Sequence, residues 1–218
     1  MHEKIGRENI NHENIGSPMV FVVDDDEAMR DSIVCLLESA NLPSRMFADA
    51  GAFLKSCDPR QSGCILLDIR MPGMSGMELL EHLKANGYSM PAIIITGHGD
   101  VPLAVRALKS GAFDFVQKPF NADELLNKVR AALEQVRENC HKNLKLDGLR
   151  SRFDALTGRE REIMELVVSG DTSKVIGMKL GISSKTVDIH RSNIMKKLNV
   201  QTVAELVRDR LALREEPA

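Results

Sequence analysis

Four short apolar runs each lead to a side chain able to do ionic or phosphoryl chemistry. "VFVV" runs into Asp24, Asp25 and Asp26, "CILL" into Asp68, "AIII" into Thr96, and "FDFV" is followed closely by Lys118. Adjacent carboxylates at the mouth of an apolar strand repel and raise one another's pKa values, an arrangement suited to a place where a cation or a reaction uses them. Three carboxylates within reach of one point resemble the all-oxygen surroundings of Mg²⁺, which keeps several waters and takes few protein ligands. Asp68 stands apart after its own run, next to a lysine and a hydroxyl once the ends converge, as a carboxylate would be placed to accept a phosphoryl group. In such a transfer the protein mainly positions and neutralises, so a metal, Lys118 and Thr96 would each face one transferred oxygen.

Convergence depends on the elements between these residues. Strand-like runs alternate with amphipathic stretches five times: "MVFVV", then Glu27 to Ala40; "SRMF", then a short helix near 50 to 56; "GCILL", then Met77 to Ala85; "AIIIT", then Val101 to Ser110; "FDFV", then Ala122 onward. The pattern predicts an α/β fold, a doubly wound five-stranded parallel sheet of flavodoxin-like type, whose ligands gather at the carboxyl ends of the strands. Asp24, Asp25, Asp68, Thr96 and Lys118 would then share one rim. Taken singly, each aspartate reads equally as a helix cap or a strand-end turn, and Asp26 reads as the cap or a solvated first-turn charge of the helix from Glu27. "GHGDVP" has the glycines of a phosphate loop but lacks its Lys-Ser/Thr ending, which argues against a nucleotide site.

The chain's net charge of −2 conceals an asymmetry. Residues 1–140 carry 14 Lys+Arg against 20 Asp+Glu, and residues 141–218 carry 15 against 11, so an acidic module of −6 precedes a basic one of +4. Different partners are expected, a cation for the first and nucleic acid for the second. No apolar run approaches the roughly 20 residues of a membrane span, and "MHEKIGRENINHENIGS" has no apolar signal core, so no membrane association and a cytoplasmic location are expected. Cys35, Cys57, Cys64 and Cys140 form no C-x-x-C pair and read as small buried thiols.

Asn121 with Glu124 makes a plausible capping box for a helix whose apolar stripe is Leu125, Leu126, Val129, Leu133 and Val136. Beyond it, "CHKNLKLDGLRSRFDA" reads as a charged linker that extends the helix until Gly148 interrupts it. In "LTGRERE", Thr157 and Glu160 form a second capping box, and Ile163, Leu166 and Val167 supply the apolar face. Gly170 ends that helix. "TSKVIGMKL" makes a short helix ending at Gly181, "ISSKTVDIHRSNIMKKL" starts another at Ser183 or Ser184, and "VAELVRDRLAL" closes a small all-α helix-turn-helix module. Along the third of these helices Val187, Ile194 and Leu198 fall on one side, and Lys185, Ile189, Ser192 and Lys196 on the other. An exposed face with a β-branched residue among Lys, Ser and Thr suits a DNA major groove, with Lys185, Thr186, Ile189, Ser192 and Lys196 as contacts and Arg191 reaching a phosphate. The alternative for these basic residues is a solvated surface, and His190, near the apolar side, reads as a hydrogen-bonded structural histidine, with direct DNA contact as its alternative.

The motifs "VVDDD", "LLDIRMPGMSGMELL", "IIITGHGD" and "DFVQKPF" resemble, in order and spacing, the receiver domain of two-component response regulators over about residues 18–135. "LTGREREIMELVVSG", "KTVDIHRSNIMKKLNV" and "AELVRDRL" resemble the LuxR-type helix-turn-helix over roughly 150–214. Together the chain looks like a regulator of the NarL/FixJ family, FixJ subfamily: a disordered tail at 1–17, a receiver at 18–135, a linker helix at 136–152 and a DNA-binding domain at 153–218. By this likeness Asp68 would be the phosphoacceptor. Asp25 would bind Mg²⁺ directly, Asp24 through water, and Asp68 and the Arg70 carbonyl would complete the protein ligands. Thr96 and Lys118 would contact the phosphoryl group, Phe115 would be the aromatic switch, and Arg70 and His98 would flank the path of hydrolytic water. The Lys118 to Pro119 bond is expected to be cis.

The resemblance also implies a sensor histidine kinase as phosphodonor, a homodimer when phosphorylated, promoter DNA as the target and RNA polymerase as a partner. The expected protein is a regulator and not an enzyme, with at most slow self-phosphorylation from small phosphodonors and self-dephosphorylation. One departure is Val175 and Gly177, where the family usually carries glutamate and alanine. A glycine inside a helix costs about 1 kcal/mol relative to alanine. Two rival readings remain: an aspartyl-phosphate phosphohydrolase, which would also use Asp68, Mg²⁺ and Lys118 but for which no second acid and substrate set is visible, and a DNA-binding protein whose receiver no longer accepts phosphate and serves only to dimerise, against which the presence of all five site residues argues.

Overall fold

The computed structural model describes residues 18–59, 61–97 and 101–214. The expected tail at 1–17 and His98 lie outside the described residues. The described chain divides into two compact units with the boundary between Asn139 and Cys140.

In the first unit β1 (Met19–Val23), α1 (Glu27–Ser39), β2 (Ser44–Phe47), α2 (Ala50–Ser56), β3 (Gly63–Asp68), α3 (Gly76–Ala85), β4 (Ala92–Thr96), α4 (Val101–Lys109) and β5 (Asp114–Gln117) alternate, and α5 (Ala122–Asp154) begins there and ends in the second unit. The five strands are all parallel, in the order β2-β1-β3-β4-β5. Side chains alternate across such a sheet, and both faces are covered. Phe21, Val23, Ile65, Leu67 and Ile94 enter one core with α2 and α3, while Val20, Val22, Leu66, Ile93, Ile95 and Val116 enter the other with α1 and α5. This double burial explains why the strands read as continuous apolar runs instead of alternating ones. Strand order reverses between β1 and β3, and the crevice outside their carboxyl ends is where such sheets bind ligands.

Asp26 caps α1, its Oδ1 accepting the N–H groups of Ala28 and Met29, as the sequence suggests. The bond described for Asn121 runs to the N–H of Asp123 at 2.8 Å, not to the third helical residue. Two expectations are corrected. Helix α5 continues through Gly148 to Asp154; the glycine's cost of about 1 kcal/mol is too small to end a helix among good formers, and Arg152 Nε donates to the Gly148 carbonyl at 3.1 Å. Cys35 is exposed and Cys140 half-buried, since position 35 lies across α1 from the buried Ile33 and Leu37. Cys57 and Cys64 are buried, and burial pushes the Cys64 thiol up to about 12.

The second unit contains α6 (Gly158–Val168), α7 (Ser173–Leu180), α8 (Ser184–Leu198) and α9 (Val203–Ala212) around a core of Ile163, Met164, Val167, Ile176, Val187, Ile194, Leu198 and Leu206. The Thr157 capping box forms, with Glu160 accepting the Thr157 N–H at 2.8 Å. Gly181, at φ 67°, ends α7 in the left-handed conformation, and Ser183 caps α8 through the N–H of Thr186. Gly177 is buried, and a methyl group there would stand 2.7 Å from the Ile182 carbonyl oxygen. At this departure from the family pattern, glycine lets the turn press against α7, so the cost expected from helix propensity is offset by close packing.

Candidate functional site

Three strand ends meet at the carboxyl rim of the sheet. Asp24 follows β1, Asp68 ends β3, and Lys118 lies one residue beyond β5. The Lys118 ammonium donates to Asp24 Oδ2 at 2.9 Å and to Asp68 Oδ1 at 2.7 Å. Both carboxylates are sunk in the fold, at 1% and 7% exposure. Asp24 Oδ1 accepts the N–H of Asp26 at 2.9 Å, Asp68 Oδ2 accepts that of Arg70 at 2.7 Å, and Arg30, which the motifs do not single out, donates to the Asp24 carbonyl at 2.8 Å. Burial raises the Asp68 pKa above the ordinary carboxylate value, with the Asp24 charge adding to it, against the lowering by Lys118 and the Arg70 N–H. Burial alone would lower the Lys118 pKa, but its bonds to Asp68 and Asp24 outweigh burial and raise it. The lysine is therefore a fixed cation at neutral pH.

Thr96, at 1% exposure, ends β4 one strand away from Asp68, and its carbonyl accepts the Lys118 N–H at 2.7 Å. The Lys118-Pro119 bond is cis. Phe115, in β5, is half-buried against the core that holds Leu67 and Ile94. Gly76, at the start of α3, is required for close approach: a Cβ there would collide with the Asp68 carbonyl oxygen, while the Gly76 N–H donates to the Ile69 carbonyl at 3.0 Å. Asp25 is exposed beside the pair. Among the described residues no group of three or more His, Cys, Asp or Glu side chains is gathered closely enough to hold a metal ion. The Lys118 ammonium occupies the space between the two buried carboxylates. The donors around it are all oxygen, each carboxylate oxygen that accepts one bond keeps a second lone pair, and two carboxylates against one ammonium leave negative charge uncompensated. This donor set fits a hard divalent cation.

In the second unit, α8 separates its faces as its periodicity predicts. Val187, Ile194 and Leu198 are buried, while Lys185, Ser192 and Lys196 are exposed and Ile189 is 56% exposed. Thr186 is half-buried, its hydroxyl 2.8 Å from that of Ser183. Arg191 is half-buried and turned toward α7, donating to Ser173 Oγ at 3.2 Å, and Ser173 in turn donates to Asp188 Oδ1 at 2.6 Å. His190 is half-buried. Sequence reasoning missed this Ser173, Asp188 and Arg191 network, although the three-residue spacing of Asp188 and Arg191 on one helix was a readable signal. It also missed Lys197, whose ammonium meets the buried Glu160 at 2.7 Å.

Residues 20–130 match the response regulator receiver domain family, and residues 154–209 match the family described as bacterial regulatory proteins, luxR family. The chain is 44% identical over 199 residues to the transcriptional regulatory protein FixJ of Azorhizobium caulinodans, an alignment covering 91% of this chain and 94% of that protein. It is 37% identical over 205 residues to the response regulator protein TmoT of Ectopseudomonas mendocina, covering 94% and 92% of the two chains. Among solved structures, the response regulator StyR matches with a TM-score of 0.81 at 43% identity, covering 90% of this chain and 99% of StyR. Full-length FixJ from B. japonicum matches with a TM-score of 0.57 at 40% identity, covering 92% and 98%. No helix among the described residues is long and apolar enough to cross a membrane. A receiver sheet with its buried aspartates and lysine, followed by a helix-turn-helix, in a chain this similar along its length to FixJ, means that the protein belongs to the two-component response regulators with a LuxR-type DNA-binding domain, FixJ-like transcriptional regulators and not catalytic enzymes.

Proposed function

We propose that this regulator takes a phosphoryl group from the phosphohistidine of a sensor histidine kinase onto Asp68, and that the phosphorylated form dimerises and binds promoter DNA. The observation that carries the reading is the Lys118 ammonium held between Asp68 and Asp24 at the rim of the sheet. An Asp68 oxygen attacks phosphorus, the P–N bond to the kinase histidine breaks, and the imidazole leaves with the bonding pair and takes up a proton. Asp25, Asp68, the Arg70 carbonyl and, through water, Asp24 would hold Mg²⁺, which when bound supplies positive charge against the transferred oxygens. Lys118 then follows the new oxygens, and Thr96 offers its hydroxyl to another of them.

The phosphoryl group adds about −1.5 to −2 charges at Asp68. As Thr96 moves toward it, the half-buried Phe115 ring swings inward and reshapes the surface of α4, β5 and the start of α5. Moving a population from about 1% to 99% active takes roughly 5.5 kcal/mol, a large demand on a few oxygen contacts, and dimerisation supplies the remainder. Paired α8 helices then meet half-sites about one turn of DNA apart, so a near-palindromic site is expected. Lys185, Thr186, Ile189, Ser192 and Lys196 lie on the DNA-facing side, the lysines meeting guanine or phosphate and Arg191 a phosphate, and RNA polymerase is the downstream partner.

The test incubates the wild type and Asp68→Asn with Mg²⁺ and a small acyl phosphate, following mass and oligomeric state together. The wild type is expected to gain one phosphoryl group and dimerise, and the variant to do neither. A wild type that gains no phosphoryl group overturns the reading in favour of a receiver that serves only to dimerise.

A further inference from the structure

Away from the rim, two contacts join the start of β5 to α5, and a third within β5 holds the same aspartate. Asp114 Oδ1 accepts the N–H of the next residue, Phe115, at 2.7 Å. Asp114 Oδ2 accepts from the Lys128 ammonium at 2.6 Å. That ammonium also stands 5.8 Å from the centroid of the Phe115 ring, within the distance at which a cation is attracted to an aromatic face. The ion pair is reached by solvent, with its side chains 24% and 34% exposed, so it is a weak restraint on its own.

We infer that Lys128 is a positioning residue for Phe115. Pinned by Asp114, its ammonium holds the ring in the half-buried resting position, and its release favours the inward one. The inference rests on the reading of Phe115 as the ring that moves. Weakness suits the task, because a restraint that must yield to a few oxygen contacts at Asp68 cannot itself be strong. The charge on Lys128 thus sets how much of the unphosphorylated protein is already in the DNA-binding state.

The test uses the full chain labelled with 4-fluorophenylalanine, with the Phe115 fluorine resonance assigned by its loss in Phe115→Leu. Lys128→Met keeps an unbranched stem and removes the charge, and Asp114→Asn keeps an acceptor for the Phe115 N–H. Each is expected to shift the Phe115 resonance of the unphosphorylated protein and raise its DNA affinity about fivefold, equivalent to roughly 1 kcal/mol, while affinity after phosphorylation stays at the wild-type value. Lys128→Arg is expected to restore both readouts. A purely structural ion pair would lower thermal stability and move neither, and that result for Lys128→Met overturns the inference. So does a shifted resonance with unchanged DNA affinity. The reading of Phe115 fails separately, if Phe115→Leu keeps the full gain in DNA affinity on phosphorylation.

Discussion

Lys118 donates to Asp68 Oδ1 at 2.7 Å across fifty residues of sequence, and the bond closes the rim of the sheet. Removing the ammonium would leave Asp68 and Asp24 buried side by side without a cation. Lys118→Met is therefore expected to destabilise the protein by about 2 kcal/mol, below the ~3–5 kcal/mol of a fully buried broken pair because the lysine is partly exposed. Urea unfolding measures the loss. Added Mg²⁺ should raise the stability of this variant more than that of the wild type, since a second cation then neutralises the same carboxylates; equal gains would argue against a cation site there.

The two units should respond to opposite ends of the pH scale. The Lys118 pKa is raised above 10.5 in the folded chain, so its stabilisation is complete below 10.5 and is lost as pH climbs through the raised value. Glu160 is held down to about 2 from 4.5, chiefly by its bond to Lys197 and then by the Thr157 N–H. Its stabilisation is present above 4.5 and disappears as pH falls toward 2. Thermal unfolding against pH should show the acid limb flattened in Glu160→Gln and the alkaline limb flattened in Lys118→Met.

Gly177→Ala tests packing against propensity. Alanine would favour the helix by about 1 kcal/mol, but its methyl would press on the Ile182 carbonyl at 2.7 Å, and overpacking typically costs ~1–3 kcal/mol. A net loss of about 1 kcal/mol is expected. A rise in melting temperature would mean that the turn after α7 gives way.

Two substitutions on α8 should separate grip from reading. Lys196→Ala is expected to weaken binding evenly across DNA sequences and lower the salt slope by about one unit, as for a phosphate contact. Ile189→Ala should leave the slope alone and relax the preference at one T-containing position by about 1 kcal/mol, the lower end of a mismatch cost. Titrations on matched and mutated sites at several salt concentrations distinguish them.

Runs such as "VFVV", "CILL" and "AIII", and the carboxylates or hydroxyl that end them, were legible in the chain because doubly buried parallel strands must be apolar throughout, and their polar ends must fall at one rim. Caps at Asp26 and Thr157 were legible because capping is local, while the start of α8 was legible only as Ser183 or Ser184. Tertiary structure decided what depends on distant partners. Asp24 and Asp68 are held by Lys118 while Asp25 faces solvent, because burial is set by the loop's path and not by residue type. Gly177 is a packing residue because of a carbonyl five positions away, and Lys128 meets the Phe115 ring because β5 and α5 pack in space. Local periodicity carries helix faces and strand ends; contacts between elements arise only when the chain closes on itself.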